Sequence, residues 1–266
     1  IRLSLVGSEM CIRDRYYITH DDESMRRIRY TFKNFIANGI GADVIRIIQL
    51  YHYCQVNDIE LYMSENDDWL IANHGNWRSL FNSLRLSSDP MIPEVSKQLL
   101  SHVCNVMIPF DDMVSITKKL FIPQEKYSYS INSDSPYAVI HVRRGDKVKG
   151  RWKEGMFHEL DEYYQYIKGM YHKKDIFVMS DSPDVAKEAE EFGFMIDENE
   201  KRRDGYVYKL YHEEETYTEN DIDDELNIFF KNMELFRGAT HLVGSNASYY
   251  YVLGQLICGK KGVSLS

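Results

Sequence analysis

Positive charge is in short supply: 32 Lys and Arg against 41 Asp and Glu leave a net charge of −9 over 266 residues. Binding nucleic acid requires a surface that neutralises phosphates, so this deficit excludes a nucleic-acid partner for the chain as a whole. Cysteine is scarce too. Cys11, Cys54, Cys104 and Cys258 show neither metal-ligand spacing nor close pairing, which excludes a zinc motif and a disulfide framework. No apolar run reaches the roughly 18 residues of a membrane span, and no internal repeat or low-complexity tract is present. What remains, 44% apolar and 13% aromatic residues, is enough to bury one or two globular cores.

One stretch stands out, Tyr137-Ala-Val-Ile-His-Val-Arg-Arg-Gly-Asp-Lys147. An uncharged run rich in aromatic and β-branched residues breaks abruptly into cations, a glycine and an acid. The run predicts a central strand of a parallel sheet over 137–142. With a period of two, Val139, His141 and Arg143 point to one face, and Ile140, Val142 and Arg144 to the other. The two arginines therefore take different roles. In open α/β sheets ligands bind beyond the carboxyl ends of the strands, where this charge falls. A guanidinium fork there suits a phosphate, and Gly145 lets the backbone turn close to a ligand. The same residues also suit surface ion pairs with nearby acids. Arg144-Gly145-Asp146 is in addition an adhesion tripeptide, although a strand end makes a poor adhesion loop.

His141-Val-Arg-Arg-Gly-Asp-Lys-Val148 resembles the first signature of the GDP-fucose fucosyltransferases, most closely the α1,6 enzymes of core and nodulation-factor fucosylation. Gly145 stands where the core enzyme has Thr and is more like the α1,2- and protein O-fucosyltransferases. Further matches lie elsewhere in the chain. Asn38-Gly-Ile-Gly-Ala42, a following helix with Tyr53-Cys54, the strand Ile59 to Met63 and Trp69 resemble the start of that catalytic region. Glu154-Gly-Met-Phe-His158 keeps the family's glutamate four residues before a His, in a loop three residues longer. Ser180-Asp-Ser-Pro183 resembles the second signature, Thr-Asp-Asp-Pro, with Ser182 for the second acid. Asn246-Ala-Ser-Tyr249 resembles the third, and the family's guanine-binding aspartate falls on Asn232.

The resemblance implies an α/β, GT-B-like glycosyltransferase with two Rossmann-type lobes of parallel sheet, inverting the sugar centre. It implies a catalytic group of Glu154, Lys147 and Arg143. Donor binding is expected from His141, Arg143, Arg144, Asp146, Tyr163, Asp181, Ser248, Gly39 and Gly41. No metal and no cofactor are expected, because arginine replaces the Asp-x-Asp metal site of many glycosyltransferases; Asp221-Ile-Asp223 sits in an acidic run that is more simply a solvated loop or helix start. The expected partners are a GDP-sugar donor and a glycan or glycoprotein acceptor. The linkage implied is α1,6 to N-acetylglucosamine, with α1,2 or protein O-linkage, or an inactive nucleotide-sugar-binding homologue, as alternatives. The compartment implied is the Golgi lumen for a eukaryotic source and the cytoplasm for a bacterial or viral one.

Without the resemblance, Glu154 reads as a solvated acid between Arg151 and Lys153, Asp181 as a helix cap, and Gly39/Gly41 as a plain turn. Asn246-Ala-Ser248 is formally a glycosylation sequon, expected to be hidden and unmodified. Residues 1–15 read as a non-native read-through and are set aside from the fold. Residues 16–130 are expected to form an incomplete first, acceptor-side lobe, and 131–266 a second, donor-binding lobe cut short at its carboxyl end. In the first, spacing predicts helices over 21–36, 44–53, 93–107 and 111–120 and a strand over 59–63. In the second it predicts helices over 159–171, 184–192, 226–236 and 249–257, and strands over 175–180, 194–196, 241–245 and 260–266. Residues 199–225 are expected to be an acceptor-side loop.

Overall fold

A computed structural model describes residues 26–31, 40–65, 83–122, 125–127, 129, 135–144, 158–196, 219–245 and 248–265. Within them the chain is α/β, with two all-parallel sheets. The first sheet has the order β1-β2-β3, from β1 (Arg27–Tyr30), β2 (Glu60–Ser64) and β3 (Arg85–Ser87). Helix α1 (Ile40–Val56) lies between β1 and β2 in the chain, and α2 (Lys97–Asn105) and α3 (Phe110–Leu120) follow β3. The second sheet is built from β4 (Ala138–Val142), β5 (Ile176–Ser180), β6 (Met195–Ile196), β7 (His241–Ser245) and β8 (Val263–Leu265). Its helices are α4 (Leu160–Gln165), α5 (Pro183–Glu191), α6 (Glu219–Gly238) and α7 (Tyr249–Cys258).

The second sheet runs β6-β5-β4-β7-β8. From the central β4 the chain steps outward through β5 to β6, then returns to the other flank of β4 as β7 and continues to β8. Such a reversal leaves a crevice between the first and returning strands at their carboxyl ends. Every residue of β4 is buried. Val139 packs into a large apolar cluster with α6 and α7, while Ile140 and Val142 pack with Leu160, Tyr163, Ile167 and Val185 on the opposite face. The alternation expected for this strand is therefore present.

The large cluster does not stop at the second sheet. It takes in Ile28 and Tyr30 of β1, Met63 of β2 and the α1 residues Ile47, Ile48 and Leu50, together with Phe230, Phe236, Tyr251 and Leu253. Helix α1 packs against α2, α3, β2 and also α7, so it joins the two sheets. At the meeting of α1 with α7 the backbones nearly touch. A Cβ on Gly41 would lie 2.9 Å from the Tyr250 amide nitrogen, and only glycine permits that approach.

Three elements differ from expectation. Arg27–Tyr30 is a strand rather than part of a helix over 21–36. Its Arg-Ile-Arg-Tyr alternation places Ile28 and Tyr30 inward, and Arg29 pairs its backbone with Pro93 and Val95 on the far side from β2. β3 was not anticipated, since three residues with partly exposed side chains carry no periodic signal. Residues 219–225, expected in a loop, form the first turns of α6. The remaining described elements fall where spacing puts them, although α4 ends at Gln165, short of residue 171.

Candidate functional site at the strand-order reversal

Beyond β4 the chain delivers Arg143 and Arg144 to the carboxyl edge of the sheet; β7 ends there in Ser245 and is followed by Ser248, the N-cap of α7. Asp181, the residue after β5, organises this edge. Its Oδ2 lies 2.7 Å from Arg143 Nη1, and its Oδ1 accepts the Arg144 backbone N–H at 2.9 Å. Both side chains of the Arg143–Asp181 pair are largely buried, at 15% and 10% exposure, so the guanidinium is held in one orientation rather than sweeping through solvent.

His141 lies on the same face of β4. It is 4% exposed and stacks on Tyr250, with ring centroids 5.5 Å apart and planes 21° apart. Burial lowers its pKa to about 4; the Arg143 charge works in the same direction, while Asp181 opposes it. The imidazole is thus neutral at ordinary pH and presents one donor and one acceptor nitrogen. Its Nδ1 is buried and has no hydrogen-bond partner among the described residues.

Ser248 is 3% exposed, and its hydroxyl oxygen accepts the Tyr251 N–H at 3.4 Å, capping the first turn of α7. No acid lies in that turn. Gly41 brings the first turn of α1 to the same place, so two helix amino ends converge there. In α1 that end carries Asp43, ion-paired with Arg46 at 3.1 Å, whereas the first turn of α7 holds no carboxylate to oppose an anion.

Arg144 turns to the other face. Its Nη1 lies 2.5 Å from Glu188 Oε2 on α5, its Nη2 is 3.1 Å from Glu159 Oε2, and both Nε and Nη2 donate to the His158 carbonyl. Donor binding was expected of Arg144; the structure gives its guanidinium these protein acceptors. Tyr163, also expected at the donor, is 1% exposed within the apolar cluster of α4, α5 and β4, edge-on to His158. Burial pushes its phenol up to about 12.

The structure therefore brings together His141, Arg143, Asp181, Ser248 and Gly41, and sets Arg144 and Tyr163 behind the sheet. Gly39, Asp146, Lys147 and Glu154 lie outside the described residues. Sequence reasoning missed Glu188 and Glu159 as partners of Arg144; their separations of 44 and 15 positions leave no local pattern. Asn232 is a buried residue of α6. Among the described residues no group of three or more His, Cys, Asp or Glu side chains is placed to hold a metal ion, and no helix is long and apolar enough to cross a membrane. Cys54, Cys104 and Cys258 are free thiols. No protein-family model matches the chain, and no curated protein matches it.

Proposed function

We propose that the chain is an inverting fucosyltransferase of GT-B type that moves fucose from GDP-fucose to a glycan hydroxyl, with α1,6 linkage to N-acetylglucosamine as the preferred reading. The observation that carries it is the Arg143–Asp181 pair at the reversal of strand order, beside the amino end of α7. A fixed cation and a helix amino end at that crevice suit a diphosphate. The His141 to Val148 signature narrows the diphosphate to that of a GDP-sugar. α1,2 or protein O-linkage remains the alternative that Gly145 favours.

Transfer forms a bond from the acceptor oxygen to the anomeric carbon and breaks the bond from that carbon to the β-phosphate oxygen. The electron pair leaves with GDP, and the hydroxyl proton goes to Glu154 in the role the resemblance gives it. As the bond breaks, the diphosphate gains negative charge, so a cation already fixed in place stabilises the transition state more than the ground state. Asp181 performs that fixing. It costs Arg143 part of its charge and gains a set orientation. The Nδ1 of His141, which has no partner among the described residues and whose ring lies flat on Tyr250, is the atom we assign to a polar atom of the donor.

Calorimetry with GDP-fucose, GDP and UDP-sugars tests the donor. The guanosine nucleotides are expected to bind, and Arg143→Ala to weaken them by about tenfold or more, from loss of at least one charge-assisted bond of roughly 1.5–3 kcal/mol. Equal affinity for UDP-sugars would overturn the donor assignment. Glu154→Gln is expected to abolish transfer while keeping GDP affinity. A wild-type chain that binds GDP without turnover would instead support the nucleotide-sugar-binding homologue, a reading that Ser182 and the buried Asn232 favour.

A further inference from the structure

At the end of α1 farthest from Gly41, the last turns of α1 and α2 enclose a hollow of about 90 Å³. Val103 of α2 is its buried floor, and Tyr53, Val56, Val106 and Ile108 also line it. The surface inside is almost entirely apolar, and no Asp, Glu, Lys or Arg lines it, in a chain where such residues make up 27%. Apolar side chains stand exposed beside it: Val56 at 71%, Val106 at 41% and Met107 at 94%. Val106 caps α2 with an extended backbone, and along an extended segment successive side chains face opposite ways. Val106 and Ile108 accordingly line the hollow, while Met107 between them stands out in solvent and does not fill it.

We propose that this face docks a second copy of the chain, in a two-fold pair in which Met107 of each copy enters the hollow of the other. A two-fold contact uses one patch twice, so knob and hole must lie side by side on the same face, as they do here. Size agrees. The hollow of about 90 Å³ equals roughly three water molecules' share of the liquid, which the Cγ, Sδ and Cε atoms of a methionine match. Methionine's unbranched, polarisable chain also adapts to irregular gaps. Charge selects the same face. Each copy carries −9, so two copies repel, and like charges set opposite one another oppose association. At the hollow no carboxylate of one copy is pressed against a carboxylate of the other, and a cationic partner finds no acid to pair with. A core free of charge is the anatomy of protein interfaces. With one small hollow per copy, the contact belongs to the small, reversible class. It lies at the opposite end of α1 from the donor site and does not depend on how that site is read.

Sedimentation equilibrium of the full chain, from about 1 to 200 μM, tests this. Reducing buffer keeps the free thiols from cross-linking copies. The mass is expected to rise with concentration from 31.4 kDa and to level off at twice that value. Met107→Lys is expected to weaken association about tenfold or more, because a two-fold contact counts the substitution twice and burying the ammonium is unfavourable. Lysine lowers the net negative charge, so general repulsion cannot account for the loss. At 94% exposure position 107 lies outside the core, and the thermal melt of the variant is expected to match wild type. Val56→Lys, on the rim, is expected to act in the same way, whereas Met107→Leu, apolar and of similar volume, is expected to keep the affinity within about threefold. A wild-type chain that stays at 31.4 kDa at every concentration would overturn the proposal and leave the hollow to an apolar side chain of some other protein. A dimer that both lysine variants leave intact would overturn it by moving the contact to another face. A mass that climbs past twice the monomer would overturn the two-fold pairing in favour of a head-to-tail array.

Discussion

Burial keeps the His141 imidazole neutral down to about pH 4, whereas the same side chain in an unfolded chain takes a proton near pH 6.5. Between those values the unfolded state binds more protons, so stability rises with pH across the window. The contribution is whole above pH 6.5 and is lost as pH falls towards 4. A shift of this size corresponds to roughly 3 kcal/mol. Denaturant titrations from pH 7 to 4 are expected to show that loss. Phe at position 141, which keeps a ring against Tyr250, is expected to flatten the profile by about one proton. An unchanged slope in His141→Phe would mean that the acid sensitivity arises elsewhere. The same desolvation that makes His141 acid-labile gives it an uncharged ring with a spare nitrogen beside Arg143, so a stability cost and a binding capacity share one cause.

At the level of elements, the junction of α1 with α7 is a backbone-to-backbone contact beside the site. Alanine normally improves a helix over glycine by about 1 kcal/mol. At position 41 the added methyl would meet the backbone of Tyr249 and Tyr250, which cannot swing aside as a side chain can. Overpacking of that kind costs about 1–3 kcal/mol. Gly41→Ala is therefore expected to destabilise the protein by a net of about 1 kcal/mol in denaturant melts and to weaken GDP binding, since the amino end of α7 has to move. A more stable variant would show that the helices have room.

The elements that sequence reading recovered are those whose burial matches their local pattern. β4 is apolar throughout, and α5 begins with Ser182 and Pro183 at its start. β1 and β3 were lost because their pairing with β2 is a contact between distant segments. In β1 an alternating tetrapeptide was also masked by the four-residue spacing of Ile28, Phe32 and Ile36. The opposed faces of Arg143 and Arg144 followed from strand geometry alone. What Arg144 touches did not, because Glu188 and Glu159 reach it only through the placement of α5 and α4 on the sheet.

For the molecule as a whole, the apolar cluster that runs from β1 through α1 into α6, α7 and β4 predicts cooperative loss of structure. Ile48 of α1 is fully buried at its middle. Ile48→Ala is expected to cost about 2–5 kcal/mol and to lower a single melting transition followed by calorimetry and by exchange in both sheets. Two separated transitions, with the β4 sheet outlasting the β1 sheet, would show that the cluster is two cores in contact.

Because α1 packs on β2 and, through its first turn, on the backbone of α7, one apolar core ties the two sheets together and they are not free to swing apart like jaws. For the donor proposed above, binding at the reversal of strand order is therefore expected to leave the contact of α1 with α7 in place.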